Sequence, residues 1–528
     1  MPDGPRAMDR RTVLRGAMLT GAMVAAGTVS DCGGRDEVAH RRRSTVPSTT
    51  ATPASGAVPW GILAEQMAGR VVLPADPGFL VATELYNERF ASELPQAVAY
   101  CAGPADVQRA VAFGRRWSLP LAVRCGGHSY GGYSTGPGLV LDVTGMAAIA
   151  TAPGSARVGA GLRLIDLYAG LAEAGVTVPG GSCPTVGLAG LALGGGIGVL
   201  GRKFGLTCDN VTGLEIVTAD SRLVTCGPDR NADLYWACRG GGGGNFGVVT
   251  SFELTVHPVP EVALFTLEWP WSAAAEVLGS WQGWVGAAPD ELWSNCQLLS
   301  EGGAGAKVKV TGVVCGDTSA LSAAIAPLVG AVGTPSYRFV GPESFLPAML
   351  IEAGCEGLSV AECHVPSQNP SGTLQRAAFA AKSLFIDAPL PGPGIAAVVE
   401  AVDTFQAQAP GLGGAVVFDA LGGAIAGVAP DATAFVHRGA LADIEMSVSW
   451  SGGAPGEPAG TGPWLEGLAS ALAPFASGAY QNYIDPTLDD WLSAYYGANL
   501  ARLRRVKRAL DPDEVFRFAQ SIPPAPGP

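Results

Sequence analysis

Between about Leu94 and His257 the chain alternates two textures. Short runs rich in β-branched residues and leucine (LAVRC, GLVLDV, LEIVTA, GVVTSFEL) are interleaved with windows such as PADVQRAVAFGRRWS, where apolar residues return at helical spacing. That alternation predicts a mixed domain of strands and helices, with the glycine-rich segments falling in the loops between them. Asp106 lies close to the start of the PADVQ helix, where a carboxylate suits exposed backbone N–H groups. From about Val259 to Ser470 the pattern changes to β-like runs (KVKVTGVV, GAVVFDA, EMSVSW) separated by Ala-rich helical windows. This predicts a second domain, an antiparallel sheet covered by helices, and an α+β fold for the whole. The stretch from about Tyr480 to Pro528 reads as a return segment. The expected divisions are 1–57, 58–258, 259–475 and 476–528, and no internal repeat is evident.

The first of these divisions reads as an address. Arg10 and Arg11 in DRRTVLRG precede an apolar stretch, Ala17 to Val29, that is too short to span a membrane. The arrangement resembles a twin-arginine export signal. RRRSTVPSTTATPASG (41–56) then has the composition of a flexible tether, so folding is expected to begin near Pro59. Cys32 invites a lipoprotein reading, but Asp31 before it is a poor fit to the small residue such processing requires. A secreted or cell-envelope location follows as an expectation. Because twin-arginine export carries folded proteins, it also hints at a prosthetic group inserted before export.

Composition removes several function classes. At 528 residues with 48% hydrophobic content the chain is long enough for two or three domains. A formal net charge of −13 argues against nucleic acid as a partner, since such binding rests on clustered Lys and Arg. The run RLRRVKR (502–508) fits an amphipathic helix and is expected to be a solvated face. The 11 cysteines form no dense framework, and any pairing among Cys296, Cys315, Cys355 and Cys363 stays open. The 5 histidines are scattered and no CxxC or HxxxH occurs, so no metal site is expected. Glycine is abundant, 74 residues, without a collagen period, which points to turns and close ligand contact.

The glycines first suggest a nucleotide. GIGVLG (196–201) is a literal GxGxxG with Glu215 at the distance of a ribose-binding acid. The preceding VGLAGLALGG is too broken by glycine for a clean buried strand, however, and RKFGLTCDN opens no convincing helix. No GK[ST] follows any glycine loop, which excludes a P-loop.

Taken together, RCGGHSYGGYSTGPGLVLDV, GGSCPTVGLAGLALGGGIGVLGRKFGLTCDN, DLYWACRGGGGGNFGVVTSFEL and the tail QNYIDP…YYGANLARLRRVKRALDPDEVFRFAQSI closely resemble the berberine bridge enzyme-like flavoproteins, from about Trp60 to Ile522. The resemblance implies a PCMH-type FAD-binding domain of two subdomains beside a substrate domain. It also implies FAD bonded twice, through a ring nitrogen of His128 and the sulfur of Cys183. Imidazole and thiolate are good nucleophiles towards an electron-poor flavin ring, and neighbouring glycines let backbone approach that ring. By the same analogy the cofactor contacts include Arg124, Gly126, Gly127, Ser129, Val186, Gly187, Gly190, Gly195, Gly196, Gly247, Val248, Asn482 and Tyr483. RGGGGGNFGVV (239–249) is expected to offer consecutive N–H groups to the pyrophosphate.

For chemistry, Tyr483 in QNYIDP matches the family's active-site tyrosine and Asp419 in VVFDALGG is the candidate partner, with Tyr480 as an alternative groove residue. A phenol near pKa ~10 is a poor base at neutrality unless its anion is stabilised. Valine at 186 matches the family position where a small side chain leaves room for oxygen. The expected activity is that of a secreted oxidase taking hydride from a hydroxyl-bearing carbon of an oligosaccharide or of a glycosylated or polycyclic natural product, with O2 reduced to hydrogen peroxide. A dehydrogenase using another acceptor, and an inactive flavin-binding module, are the alternatives. A monomer without a membrane span is expected.

Overall fold

A computed structural model describes residues 57–302, 305–409, 411–451 and 456–527. Arg10, Arg11, Cys32 and the 41–56 tether lie outside the described residues. The first helix, Trp60–Gln66, starts directly after Pro59.

Two sheets carry the first half. A four-stranded sheet runs in the order Arg70–Val72, Ala97–Tyr100, Leu139–Asp142, Leu121–Arg124, and its last three strands are parallel. Parallel strands need a crossover, which the helix Pro104–Arg116 supplies between Ala97–Tyr100 and Leu121–Arg124, with Leu139–Asp142 then entering between them. Its buried Val107, Ala110, Val111 and Gly114 follow the i, i+3, i+4, i+7 spacing of one helix face. That face packs on Ala97, Ala99, Leu139 and Leu141 of the sheet. Asp106 does not cap this helix as expected: its carboxylate accepts from the N–H groups of Ala68, Gly69 and Ala102, which lie outside the helix. A five-stranded antiparallel sheet follows, in the order Ile149–Ala152, Ser155–Gly159, Val248–Thr255, Val211–Val217, Leu223–Cys226. GIGVLG is no nucleotide loop after a strand, because it follows the short helix Leu188–Leu193, and Glu215 sits in a strand, paired with Arg157.

The remainder is built on a seven-stranded antiparallel sheet, ordered Tyr337–Glu343, Val262–Trp269, Ala306–Cys315, Leu292–Glu301, Gly413–Ala420, Ala442–Trp450, Ala378–Ile386. Successive side chains point to opposite faces of a strand. In Ala442–Trp450 the even positions Ile444, Met446 and Val448 join the core under the helices Ala274–Gly286, Thr318–Val332, Gly392–Gln408 and Thr461–Leu472. Asp443 and Glu445 therefore face the other way. The same alternation buries Val416 and Phe418 but turns Val417 and Asp419 outward, and buries Cys296 and Leu298 but turns Asn295 and Gln297 outward. One face of the sheet is thus hydrophobic and helix-covered, while the other gathers polar groups. This is the α+β architecture expected, and Cys355 and Cys363 form a disulfide within it.

The chain after residue 476 comes back to the glycine loops of the first half. Tyr480 Oη accepts from the N–H groups of Gly196 and Ile197, and Asn482 Nδ2 donates to Leu191 O. The helix Leu500–Leu510 corrects one expectation. Arg505 and Arg508 are exposed, but Lys507 is wholly buried beside Leu503 and Val506. Its ammonium donates to Asn245 O, Phe516 O and the Asp511 carboxylate, so this cation ties the tail to the 239–247 loop. Among the described residues no helix is long and apolar enough to cross a membrane.

Candidate active site

The glycine loops, the polar face of the large sheet and the returning tail together enclose a cavity of about 470 Å3. His128, Cys183, Gly126, Gly127, Ser129, Val186, Gly187, Gly190, Gly247, Asn482, Tyr483 and Asp419 all reach its wall. Four expected contacts do not. Arg124 is turned away, its Nε donating to Asp142 and its Nη2 to Ala82 O. Gly195 and Gly196 lie against Phe435 and Thr207, and the Gly196 N–H serves Tyr480. Val248 is a core residue in contact with the Val217 and Ala219 cluster.

RCGGHSYGGY makes a turn that needs its glycines for two different reasons. Gly127 adopts φ +74°, a conformation that side chains disfavour. Gly126 is held by contact, since a Cβ there would stand 2.3 Å from Gly187 N and 2.6 Å from Thr185 O. The result is a sharp bend that delivers His128 to the cavity. Tyr86 stacks on its ring with centroids 4.0 Å apart, and its Nε2 is hydrogen-bonded to Thr185 Oγ1 at 2.7 Å, leaving Nδ1 as the remaining nitrogen. Burial, with the nearby Arg163 charge adding, lowers the His128 pKa to about 3, so the imidazole is neutral at physiological pH. The Cys183 thiol is pushed up to about 12 by burial, with Glu445 and Asp419 contributing.

These residues fit a flavin. Gly190 and Gly243 line the cavity, and a Cβ on Gly190 would meet nothing within 4 Å, so two bare glycines leave open a slot that side chains would fill. The backbone N–H groups of Gly127, His128 and Ser129 find no acceptor among the described residues and stand on the cavity wall, where an anion can use them. The expected pyrophosphate loop divides in two. In 239–249 the N–H groups of Gly240 and Gly242 both donate to Leu193 O and that of Gly241 to Ala237 O. Those three are spent on the fold, whereas the N–H groups of Gly243 and Gly244 find no acceptor among the described residues and stand on the cavity wall, which Gly247 and Val249 also reach.

At the sheet end the polar groups form a connected set. Tyr130 Oη donates to Glu445 Oε1 at 2.9 Å, and the Tyr130 ring stacks on Tyr483 with centroids 4.9 Å apart and planes inclined by 14°. Tyr480 meets Tyr483 edge-on at 5.0 Å. Burial raises Glu445 to about 7; the Tyr130 hydrogen bond opposes that rise and Asp419 adds to it. Asp419 is raised to about 6 by burial, opposed by the Asn295 side chain. Asp443, on the strand beside Asp419, is raised well above the carboxylate range by burial and by its two acidic neighbours. Tyr483 moves further from basicity, since burial and then Glu445, Tyr130 and the two aspartates all oppose its anion. Asp419 thus disfavours the Tyr483 anion it was expected to support.

Sequence reasoning missed Tyr130, Glu445 and Asp443. The signal for the two acids was present in ADIEMSVSW, where a strict alternation sets both carboxylates opposite the apolar positions. Tyr130 lies inside the quoted histidine loop, two residues past His128.

Comparisons with known proteins agree with this geometry. Residues 95–227 match the FAD binding domain family and residues 479–523 the family described as berberine and berberine like. The FAD-linked oxidoreductase YgaK of Bacillus subtilis (strain 168) is 35% identical over 469 residues, covering 87% of this chain and 98% of its own. The xylooligosaccharide oxidase of Thermothelomyces thermophilus is 31% identical over 461 residues, 83% of this chain and 89% of its own. The solved structure of BBE-like 1 from Physcomitrella patens superposes with a TM-score of 0.80 at 31% identity, covering 89% of this chain and 99% of its own. The cavity, its glycine slot and its histidine loop are thus those of a flavoenzyme, and the chain belongs to the berberine bridge enzyme-like FAD-dependent oxidoreductases.

Proposed function

We propose that this oxidoreductase is an exported oxidase of a sugar or oligosaccharide, holding FAD covalently through His128 and Cys183 and releasing hydrogen peroxide. One observation carries the substrate reading. On the cavity wall two buried groups have no hydrogen-bond partner among the described residues, Trp293 Nε1 as a donor and Asp419 Oδ1 as an acceptor. A donor and an acceptor on one confined wall match a hydroxylated ligand, whose O–H groups both give and accept hydrogen bonds, and each left unmet costs ~1–3 kcal/mol. The Trp293 ring on the same wall adds an apolar platform. The name of the xylooligosaccharide oxidase relative points the same way.

Bound FAD supplies the hydride acceptor. The chain supplies the proton path. Glu445, with a pKa near 7, is the group best tuned to accept a proton at neutral pH. Tyr130 passes its hydrogen-bonded proton to Glu445 Oε1 as it takes the proton of the substrate hydroxyl, so no tyrosinate accumulates. Tyr483 stays neutral and holds the substrate by donating a hydrogen bond, while Asn482 and Tyr480 fix its loop. Val186 on the cavity wall leaves room for oxygen. Export rests on Arg10, Arg11 and the apolar stretch after them.

The test is peroxide release by the FAD-loaded protein across a panel of mono- and oligosaccharides and a panel of polycyclic natural products. Turnover on sugars supports the reading; turnover confined to the second panel rejects the sugar class. Reduced flavin that persists on mixing with air would reject the oxidase and favour another electron acceptor.

A further inference from the structure

A second cavity, of about 680 Å3, lies behind the histidine loop, and nothing in the reaction above employs it. The protein is acidic overall, with 46 Asp and Glu against 33 Lys and Arg, yet this cavity reverses the balance. Arg70, Arg124, Arg163 and Arg376 line it, against two carboxylates, Glu84 and Asp142. Both acids are already engaged, Asp142 by Arg124 and Glu84 by Arg376. Arg163 makes no ion pair among the described residues, and Arg70 stacks on Tyr100 without an acid.

Three polar atoms on the cavity wall are buried without a partner among the described residues: Arg124 Nη1, Arg163 Nε and Gln368 Oε1. The Arg124 side chain is only 5% exposed, so its unpaired N–H groups are shielded from bulk solvent. Burying guanidinium donors unmet is costly, and their planar fork suits an oxyanion. Gln368 Oε1 adds an unmet acceptor, which a bare oxyanion cannot satisfy but an anion bearing an O–H can.

We propose that this cavity binds a small oxyanion that retains one hydroxyl, of the hydrogen-phosphate or hydroxycarboxylate type, with Arg124 and Arg163 holding the anionic oxygens and Gln368 accepting from the hydroxyl. The site is placed to report to the flavin cleft. Tyr86, Cys125 and Gly126 line both cavities, and Tyr86 is the ring stacked on His128. Arg163 also sets part of the field at His128, and an anion beside it weakens that field.

Isothermal titration of the FAD-loaded protein at low ionic strength tests it, using inorganic phosphate, gluconate and sulfate as probes and sodium chloride as the ionic-strength control. Phosphate or gluconate is expected to bind saturably at one site per chain, and whichever binds more tightly names the source. Sulfate, which has no O–H at neutral pH, is expected to bind at least fivefold more weakly. Arg163→Gln should weaken binding at least tenfold, and Gln368→Ala should bring phosphate down to the level of sulfate. If Arg163→Gln does not fold, Arg376→Gln, which removes another guanidinium, should weaken binding at least threefold. No saturable heat beyond the chloride control, or binding unchanged in these variants, overturns the proposal.

Discussion

The proposed proton path narrows to a tyrosine and a glutamate, Tyr130 and Glu445, joined by a 2.9 Å hydrogen bond. Burial places Glu445 near 7, so kcat/KM should fall as pH drops through that value and the carboxylate protonates. Replacing Glu445 with Gln should lower kcat ~10²–10⁴-fold, the usual worth of a positioned acid–base group, and flatten the acidic limb of the pH profile. Tyr130→Phe removes the group that takes the substrate proton in this path, so kcat should fall by a similar factor, and because the hydrogen bond holding Glu445 down is also lost, the limb of the residual activity should move to higher pH. Stability should run the opposite way. A carboxyl whose folded pKa lies above its unfolded value costs stability as pH rises from about 4 through 7, and above that the cost is complete. Glu445→Gln should therefore melt higher than the parent at pH 8 and match it at pH 4. Neither partner was chosen from the sequence. Tyr483 and Asp419 stood out in their motifs, whereas the value of Glu445 depends on a neighbour 315 positions away, which no local pattern contains.

At the scale of elements, the glycines divide by function. Gly126 is held by backbone contact, so Gly126→Ala must push Gly187 and Thr185 apart and should cost ~1–3 kcal/mol or more, read as a lower denaturation midpoint. Gly190 faces open cavity from the helix Leu188–Leu193, so Gly190→Leu should melt near the parent temperature but carry little flavin. A variant that unfolded instead would show Gly190 to be structural. The sequence made the abundance of glycine plain and its position in loops predictable. It did not reveal how the donors of each loop divide: in the run at 239–249 Leu193 and Ala237 claim the N–H groups of Gly240, Gly241 and Gly242, while those of Gly243 and Gly244 stay free on the cavity wall. Strand alternation was fully legible, and applied to ADIEMSVSW it would have exposed the acidic face.

Across the whole molecule, the two textures read from the hydrophobic pattern correspond to separate sheets, and the tail joins them. Its register was legible only in part. RLRRVKR was correctly read as an amphipathic helix, but its periodicity does not show that Lys507 lies on the buried side, where Asn245, Asp511 and Phe516 satisfy its ammonium. Lys507→Met should leave the Asp511 carboxylate buried without its cation and cost ~3–5 kcal/mol, measured by denaturant unfolding. The claim on which the functional account rests is the pair of bonds from this chain to its flavin. The most direct measurement is the intact mass of the purified protein after acid denaturation, for the parent, His128→Ala, Cys183→Ala and the double variant. The account predicts one FAD added to the parent and to each single variant, and none to the double variant. Flavin released wholly into the acid supernatant from the parent would contradict it.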